Sequence, residues 1–146
     1  MPTLAYAVLA DFVRAEGGLA HLIAAGIDTV GARQVPTGQN LGLLAGVRFT
    51  RAECGRPHRF EVLFSDEDGA VLTRGTGIIV PEWDKDLPVH WGRAMQAAVN
   101  LGVPLPRYGL YQFSIMVDDQ ELGTLHLRVI PYPDGEPEVE APAEPE

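Results

Sequence analysis

The sequence predicts an all-β fold, a single antiparallel β-sandwich of the immunoglobulin-like or jelly-roll-like kind with about eight strands. Three observations lead to this prediction. Apolar residues alternate with polar residues over much of the chain, which is the period of a half-buried strand. Short glycine-rich or acidic segments separate these runs, and no strand–helix–strand alternation is evident. The length of 146 residues is expected for one domain.

The first predicted hairpin lies near the start of the chain. Residues 4–12 and 19–30 are apolar runs that flank the sequence Ala-Glu-Gly-Gly at 15–18. Glycines can adopt the positive φ angles that a tight hairpin turn requires. A further strand is expected at residues 41–50, before the second half of the chain begins.

Two later hairpins have clearer alternation. Residues 60–64 alternate, the Asp-Glu-Asp-Gly segment at 66–69 has turn composition, and an extended run follows at 71–80. The second of these hairpins turns at residues 118–121. Because its two strands have matching alternation, we predict that six of its apolar side chains form one buried face. These are Tyr111, Phe113, Ile115, Leu125, Leu127 and Val129.

The segment at residues 92–102 fits two templates. As a helix it places Met95, Ala98 and Val99 on one face, whereas as a strand it alternates Met95, Ala97, Val99 and Leu101 with other residues. Its shortness and its neighbouring strands favour the strand. The longest expected loop, at 81–91, comes directly before it.

The last part of the chain has the composition of a disordered tail. We expect a β-sandwich domain at residues 1–133, followed by an acidic tail rich in proline and glutamate at 134–146. The tail contains six of the chain's twenty acidic residues and no basic residue. It should be dispensable for folding, because its charged residues and prolines offer no apolar burial that could offset the conformational entropy lost on ordering.

The charge excludes some classes of partner. The chain has a net charge of −9, and without the tail 14 acidic residues face 11 basic ones, which leaves −3. Nucleic acids and anionic membranes attract basic surfaces, so we expect neither as a partner. No basic segment precedes the first apolar run, and Asp11 interrupts it, so no secretory signal is expected. With Cys54 as the single cysteine, these features predict a cytoplasmic location, and the excess of arginine over lysine favours a bacterial source.

Four segments of the chain resemble a family of small, uncharacterised bacterial proteins that is classed only as a domain of unknown function. They are Tyr6-Ala-Val-Leu-Ala-Asp11, Gly26-Ile-Asp-Thr-Val30 at the expected close of the first hairpin, Pro106-Arg-Tyr-Gly-Leu-Tyr-Gln-Phe113 and Val117-Asp-Asp-Gln-Glu-Leu122. The resemblance covers residues 4–130. The last two segments also look like the late hairpin of immunoglobulin-like domains, in which a strand opens with an inward tyrosine. The resemblance implies a fold but no activity.

No pattern of catalytic or metal-binding residues is evident. His21, His58, His90 and His126 are scattered without metal-ligand spacing, and the last three fall at expected surfaces. The position of Cys54 is typical of a thiol in a loop or at a strand end, and we do not expect it to act as a nucleophile. No phosphate-binding or nucleophile-elbow motif occurs. We therefore expect no catalytic residues, no cofactor and no enzymatic activity.

The acidic residues in the predicted turns are of the kind that bind calcium ions. Seven carboxylates in three loops offer the hard oxygen ligands that Ca²⁺ prefers: Asp66, Glu67, Asp68, Asp84, Asp86, Asp118 and Asp119. Aspartate is also common in turns that hold no metal, because its side chain bonds to the local backbone. We therefore expect no metal site and no tight binding of calcium.

The loop at 81–91 holds both tryptophans of the chain, Trp83 and Trp91. They either cap the end of their own sandwich or anchor a partner, since tryptophan is enriched in interface hot spots. The leading hypothesis is a non-catalytic interaction or assembly module that acts through its surfaces on a protein partner or by forming a homo-oligomer. The alternative is a module that binds a small ligand, a carbohydrate or Ca²⁺ with loops at one end of the sandwich.

Overall fold

The structure is a computed structural model that describes residues 1–132. The acidic tail at 134–146 and the expected boundary before it lie outside the described residues. The described residues form ten strands and two short 3₁₀ helices, at Arg51–Glu53 and Val89–Trp91. The strands are β1 (Thr3–Ala10), β2 (Phe12–Glu16), β3 (Leu19–Ile23), β4 (Thr29–Ala32), β5 (Thr37–Phe49), β6 (His58–Asp66), β7 (Val71–Ile79), β8 (Arg93–Leu105), β9 (Gly109–Val117) and β10 (Gln120–Pro131).

Two sheets face each other across one apolar core. The three-stranded sheet has the order β1-β5-β8, and the five-stranded sheet has the order β4-β10-β9-β6-β7. The core contains side chains from both sheets, among them Val47 and Phe49 of β5 and Phe60, Val62 and Phe64 of β6. The all-β sandwich predicted from the sequence is confirmed, with two strands more than expected.

The two later hairpins are confirmed as β6–β7 and β9–β10. Five members of the predicted face are buried, and Leu125 is half-buried against the same core. Phe113 lies opposite Leu125 on β10 and opposite Phe64 on β6. The hydroxyl of the inward-facing Tyr111 donates a hydrogen bond to the backbone oxygen of Arg107 at 2.5 Å. A similar bond from a tyrosine to upstream backbone occurs in immunoglobulin-like sandwiches.

The segment at 92–102 forms a strand, as predicted. It belongs to β8, which pairs along its whole length with β5. Met95, Ala97, Val99 and Leu101 all pack against the core, so the alternation of this segment determines its orientation.

The first part of the chain differs from the prediction. The turn at Gly17 and Gly18 is present, but it joins the short strands β2 and β3. β1 instead pairs with β5, so the run at 4–12 is divided between two sheets. The segment at 26–30 does not close this hairpin, because its last residues begin β4, which pairs in parallel with β10. Alternation reveals which face of a strand is buried but not which strand is its neighbour.

The β2–β3 hairpin covers the outer face of the three-stranded sheet. The Asn100 side chain accepts a hydrogen bond from the Val13 N–H at 3.1 Å and donates one to the Val13 carbonyl at 2.8 Å. At the turn, Gln96 Nε2 donates to the carbonyl of Gly18 at 2.9 Å. Gly42 makes the close approach possible, because a Cβ there would lie 2.8 Å from the backbone nitrogen of Val13. The central strand β5 is consequently buried on both faces.

Among the described residues, no helix is long and apolar enough to cross a bilayer.

Candidate functional site

The loop between β7 and β8 is shaped by local hydrogen bonds. The Asp84 carboxylate accepts the N–H of Asp86 at 2.9 Å, and the Asp84 carbonyl accepts the N–H of Leu87 at 3.0 Å. The 3₁₀ helix Val89–Trp91 follows, and the chain then enters β8 through Gly92. Gly92 has a φ of +55°, and a Cβ there would lie 3.2 Å from the carbonyl oxygen of Phe49. This close approach holds the end of the loop against β5.

The two tryptophans have different environments. Trp83 is half-buried, and the guanidinium of Arg51 lies 5.9 Å from the centre of its ring. Trp91 is 55% exposed, and the neighbouring Val89 is 61% exposed. Of the two side chains predicted to bind a partner, Trp83 therefore packs on its own domain and Trp91 faces solvent.

Trp91 borders a cavity of about 670 Å³, which we call the Trp91 cavity. One wall is the 3₁₀ helix with Leu87, and the other wall consists of the ends of β1, β5 and β8. The lining residues are Met1, Thr3, Arg48, Phe49, Thr50, Leu87, Val89, His90, Trp91, Gly92, Arg93 and Ala94. No aspartate or glutamate is among them.

Two arginines give this cavity its charge. Arg48 and Arg93 both line it, and neither forms an ion pair with another residue in 1–132. By contrast, Arg59, Arg74 and Arg107 all lie within 4 Å of carboxylates. The cavity therefore combines an exposed indole with two guanidinium groups that lack a counter-ion from the described part of the chain.

A hydrogen-bonded cluster lies beneath the cavity. His58 is buried, its Nδ1 lies 2.6 Å from Oδ2 of Asp118, and its Nε2 lies 2.7 Å from the backbone oxygen of Glu53. Both ring nitrogens therefore have a hydrogen-bond partner within the fold. The His58 ring packs on Phe49 with a centroid distance of 4.7 Å. The expected surface position of His58 is therefore wrong, because Asp118 satisfies the imidazole inside the fold.

The carboxylates of this cluster are stabilised as anions. Burial raises the pKa of Asp118, but the hydrogen bonds from His58 and from the Arg59 N–H outweigh it, so the pKa lies below its usual value. Burial likewise opposes ionisation of Glu53, yet the Met1 ammonium and the Thr50 N–H hold its pKa below the usual value. The floor of the cavity is thus fixed by charge-assisted bonds, and both carboxylates already have partners.

Cys54 lies beside this cluster and is half-buried. Burial raises the pKa of its thiol, and the nearby Arg93 offsets this only in part. A raised pKa keeps the sulfur protonated at neutral pH, which disfavours a nucleophilic role.

Residues 5–130 match the Family of unknown function (DUF6941). The chain belongs to this family. The match contains most of the Trp91 cavity and the whole His58 cluster. No curated protein matches the chain.

Two solved structures are similar to this member of the family. A β-glucuronidase from glycoside hydrolase family 2 aligns over 66% of this chain with 10% identity and a TM-score of 0.48, and the chain spans only 10% of that protein. The CARDB domain of a Pyrococcus furiosus protein, in complex with di-metal ions, aligns over 88% of this chain and 92% of that one, with 14% identity and a TM-score of 0.43.

The acidic loops of this family member do not converge. Asp66 is the last residue of β6, whereas Asp118 lies near the start of β6, because Asp66 pairs with Tyr111 and Phe60 pairs with Val117. Asp66 accepts the N–H groups of Asp68 and Ala70, as turn chemistry predicts. Within residues 1–132, no three histidine, cysteine or acidic side chains could hold one metal ion. The expectation that calcium does not bind tightly remains a prediction.

Sequence reasoning missed the arginines of the cavity and the His58 cluster. His58 and Asp118 are sixty residues apart, and Arg48 and Arg93 meet only because β5 pairs with β8. One usable signal was the pair of glycines, Gly42 and Gly46, inside an apolar strand, since such glycines often mark the close approach of another segment. Gly42 marks the approach of the covering hairpin and Gly46 marks the approach of the Tyr6 ring of β1, and neither points to the cavity.

Proposed function

We propose that the protein is a non-catalytic interaction module and that the Trp91 cavity binds a segment of another protein. The observation that carries the proposal is the exposed indole of Trp91 beside two arginines that have no ion pair in the described chain. Tryptophan and arginine are the residues most enriched in binding hot spots, where a few side chains supply most of the affinity. Val89 adds further exposed apolar surface next to the indole.

The lining indicates the chemistry of the partner. A guanidinium group binds a carboxylate through paired hydrogen bonds, and an indole packs against apolar side chains. The partner segment should therefore carry an aspartate or glutamate next to one or two large apolar residues. The hydrogen-bonded His58 cluster beneath Phe49 favours binding of such a segment, because a preorganised surface loses less entropy on binding.

A non-catalytic role is supported by the chemistry of the site. The carboxylates nearest to the cavity floor, Glu53 and Asp118, are occupied by internal partners, and the thiol of Cys54 has a raised pKa. General acid–base catalysis requires a titratable group that can reach a bound substrate. Among the lining residues of the cavity, His90 is the one titratable side chain other than arginine. No carboxylate or thiol in residues 1–132 lines the cavity beside it to form a catalytic pair.

A small-molecule ligand is the second candidate for the same cavity. The volume of about 670 Å³ is favourable, since it falls within the roughly 300–1,000 Å³ that is usual for ligand pockets. Such pockets bury most of their ligand, however, and the exposure of Trp91 and Val89 is more typical of a protein contact surface.

Peptide display on the full chain tests the proposal. We expect selected peptides to combine acidic and large apolar residues, and to lose binding to Trp91→Ala and to Arg93→Gln. Trp91→Ala should keep the wild-type melting temperature because the side chain is exposed, whereas Trp83→Ala should lower it and retain peptide binding. Equal binding to wild type and Trp91→Ala, or selected peptides without acidic residues, would refute the proposal.

A further inference from the structure

One side of the sandwich is open. Within residues 1–132, β7 pairs with β6 alone and β8 with β5 alone, so both are edge strands, one in each sheet. A cleft of about 330 Å³ separates them. Residues 76–80 line it from the β7 side, residues 95–99 line it from β8, and Phe60 forms its floor. We call this region the open side.

The two edges touch at one place and separate beyond it. A Cβ on Gly75 would lie 2.8 Å from Leu101 and 3.1 Å from Val99, so β7 and β8 are in close contact there. A Cβ on Gly77 would meet no atom within 4 Å. The cleft begins at this point, and it gives access to the apolar core between the sheets.

The opposite side of the sandwich is covered by the chain itself. The carbonyl of Leu9 in the edge strand β1 accepts the N–H groups of Gly26 and Ile27. Leu4 packs against Gly123 of β10, where a Cβ would lie 2.6 Å from the leucine side chain. The edge strand of the other sheet, β4, has only four residues. Comparable cover is missing from the open side in the described part of the chain.

The middle of each open edge also lacks the usual protection against pairing. Natural edge strands carry charges, prolines or bulges that prevent another strand from adding to them. Charged residues make up 21% of this chain, yet residues 75–80 and 94–101 contain neither a charge nor a proline. The irregularity in the pairing of β6 with β7 lies outside these stretches, between Val71 and Thr73. Ile78 is 65% exposed and Val80 is 48% exposed. An uncharged apolar edge of this kind is expected to be covered by another strand.

We propose that a second copy of this chain covers the open side, with β8 pairing antiparallel to β8 and β7 meeting β7 about a twofold axis. An antiparallel twofold contact places each segment against itself, so both uncharged segments meet uncharged segments. One twofold axis can serve both strands, because the residues that line the cleft are centred on Ile78 in β7 and on Ala97 in β8.

The flanking charges are compatible with this axis. Arg74 and Glu82 lie at equal sequence distances on either side of Ile78. Arg74 lies in β7, where it also pairs with Glu61, and Glu82 lies beyond the end of β7 at Ile79. A twofold axis at Ile78 therefore places Arg74 of one copy on the same side as Glu82 of the other, and it brings no like charges face to face.

Ala94 lines the Trp91 cavity and lies next to Met95, which lines the cleft, but the residues at the axis, Ile78 and Ala97, do not line the Trp91 cavity. A variant at Ile78 therefore tests this contact without changing the cavity.

Charge variants at the axis test the pairing. Wild-type full chain should sediment as a dimer at micromolar concentration. Ile78→Lys and Ile78→Glu should each be folded monomers, with a dissociation constant at least tenfold higher, because like charges directly opposite each other destabilise paired strands. An equimolar mixture of the two variants should recover the dimer, since opposite charges then face each other across the axis.

Leu110→Lys is the matched control. Leu110 is 55% exposed on a strand of the same sheet but lies on β9, away from the open side, so this variant should remain a dimer. The proposal is overturned if the wild type is still monomeric at 100 times the micromolar concentration at which a dimer is expected. It is overturned too if Ile78→Lys remains a dimer. It is also overturned if Leu110→Lys dissociates equally, or if the mixture of lysine and glutamate variants stays monomeric. A monomeric wild type would leave the open side to a strand from a different protein.

Discussion

Replacing Phe113 by alanine should remove much of the stability of this domain. Phe113 is 1% exposed and lies in β9, with β6 on one side and β10 on the other. Its ring packs on that of Phe64 with a centroid distance of 4.8 Å. Both neighbouring strands hold large buried side chains, so the cavity left by the substitution cannot collapse easily.

The expected loss in unfolding free energy is about 3 to 5 kcal/mol, the usual cost of truncating a buried phenylalanine to alanine. The lost contact between the Phe113 and Phe64 rings, worth roughly 0.5 to 1.5 kcal/mol beyond area burial, favours the upper part of that range. For a domain of this size, the melting temperature should fall by about 10 to 20 °C. Typical domains have only about 5 to 15 kcal/mol of stability in total.

Urea unfolding followed by far-ultraviolet circular dichroism measures this loss, with Leu110→Ala as the control. Leu110 lies on the same strand but is exposed, so its truncation should change the free energy by less than about 0.5 kcal/mol. The slope of free energy against urea concentration should be similar in both variants. If Phe113→Ala melts within a degree or two of wild type, the register of β9 against β6 and β10 is wrong.

Two further predictions concern the covering hairpin and the His58 cluster. Gly42→Ala should cost about 1 to 3 kcal/mol in thermal unfolding, because its methyl group would lie 2.5 Å from Val13, whereas Gly77→Ala, which meets no atom, should be nearly neutral. Asp118 has a lowered pKa in the folded state, so its contribution to stability is present above its unfolded pKa and is lost as the pH falls through the folded value. The difference in unfolding free energy between wild type and Asp118→Asn should therefore be largest above pH ~4 and shrink on acidification; an unchanged difference down to pH ~2 would contradict the role of the carboxylate.

The fold class and the later hairpins could be predicted because their information is local. Alternation along β9 and β10 identifies the buried face, and acidic turns identify the chain reversals. Residues 92–102 fit both periods, and the shortness of the segment and its neighbouring strands favoured the strand that the structure shows. In each case the deciding information is local in sequence, so period, turn composition and segment length are sufficient.

The pairing of β1 with β5 and of β4 with β10 could not be predicted in the same way. Both pairs join segments that are separated by many residues, and alternation does not record which edge a strand meets. The candidate site could likewise be predicted only in part. Trp91 was recognised from its residue type, but its exposure and its arginine neighbours depend on long-range pairing. Glu53 and His58 are both buried, and their partners are the Met1 ammonium for the Glu53 carboxylate and Asp118 for the imidazole, which only the folded structure brings close.

The attachment of the β2–β3 hairpin has a consequence for how the protein opens. Ordinary sheet neighbours are joined by a backbone ladder, but Asn100 and Gln96 join this hairpin to β8 through side-chain amides. Such an element can detach as a unit while the two-sheet core remains intact, because few bonds cross the boundary. Detachment would bare Ala10 and Leu44, which are otherwise buried beneath it. We therefore expect the outer layer to melt separately, as a small subdomain, and to be the region that a protease cleaves first.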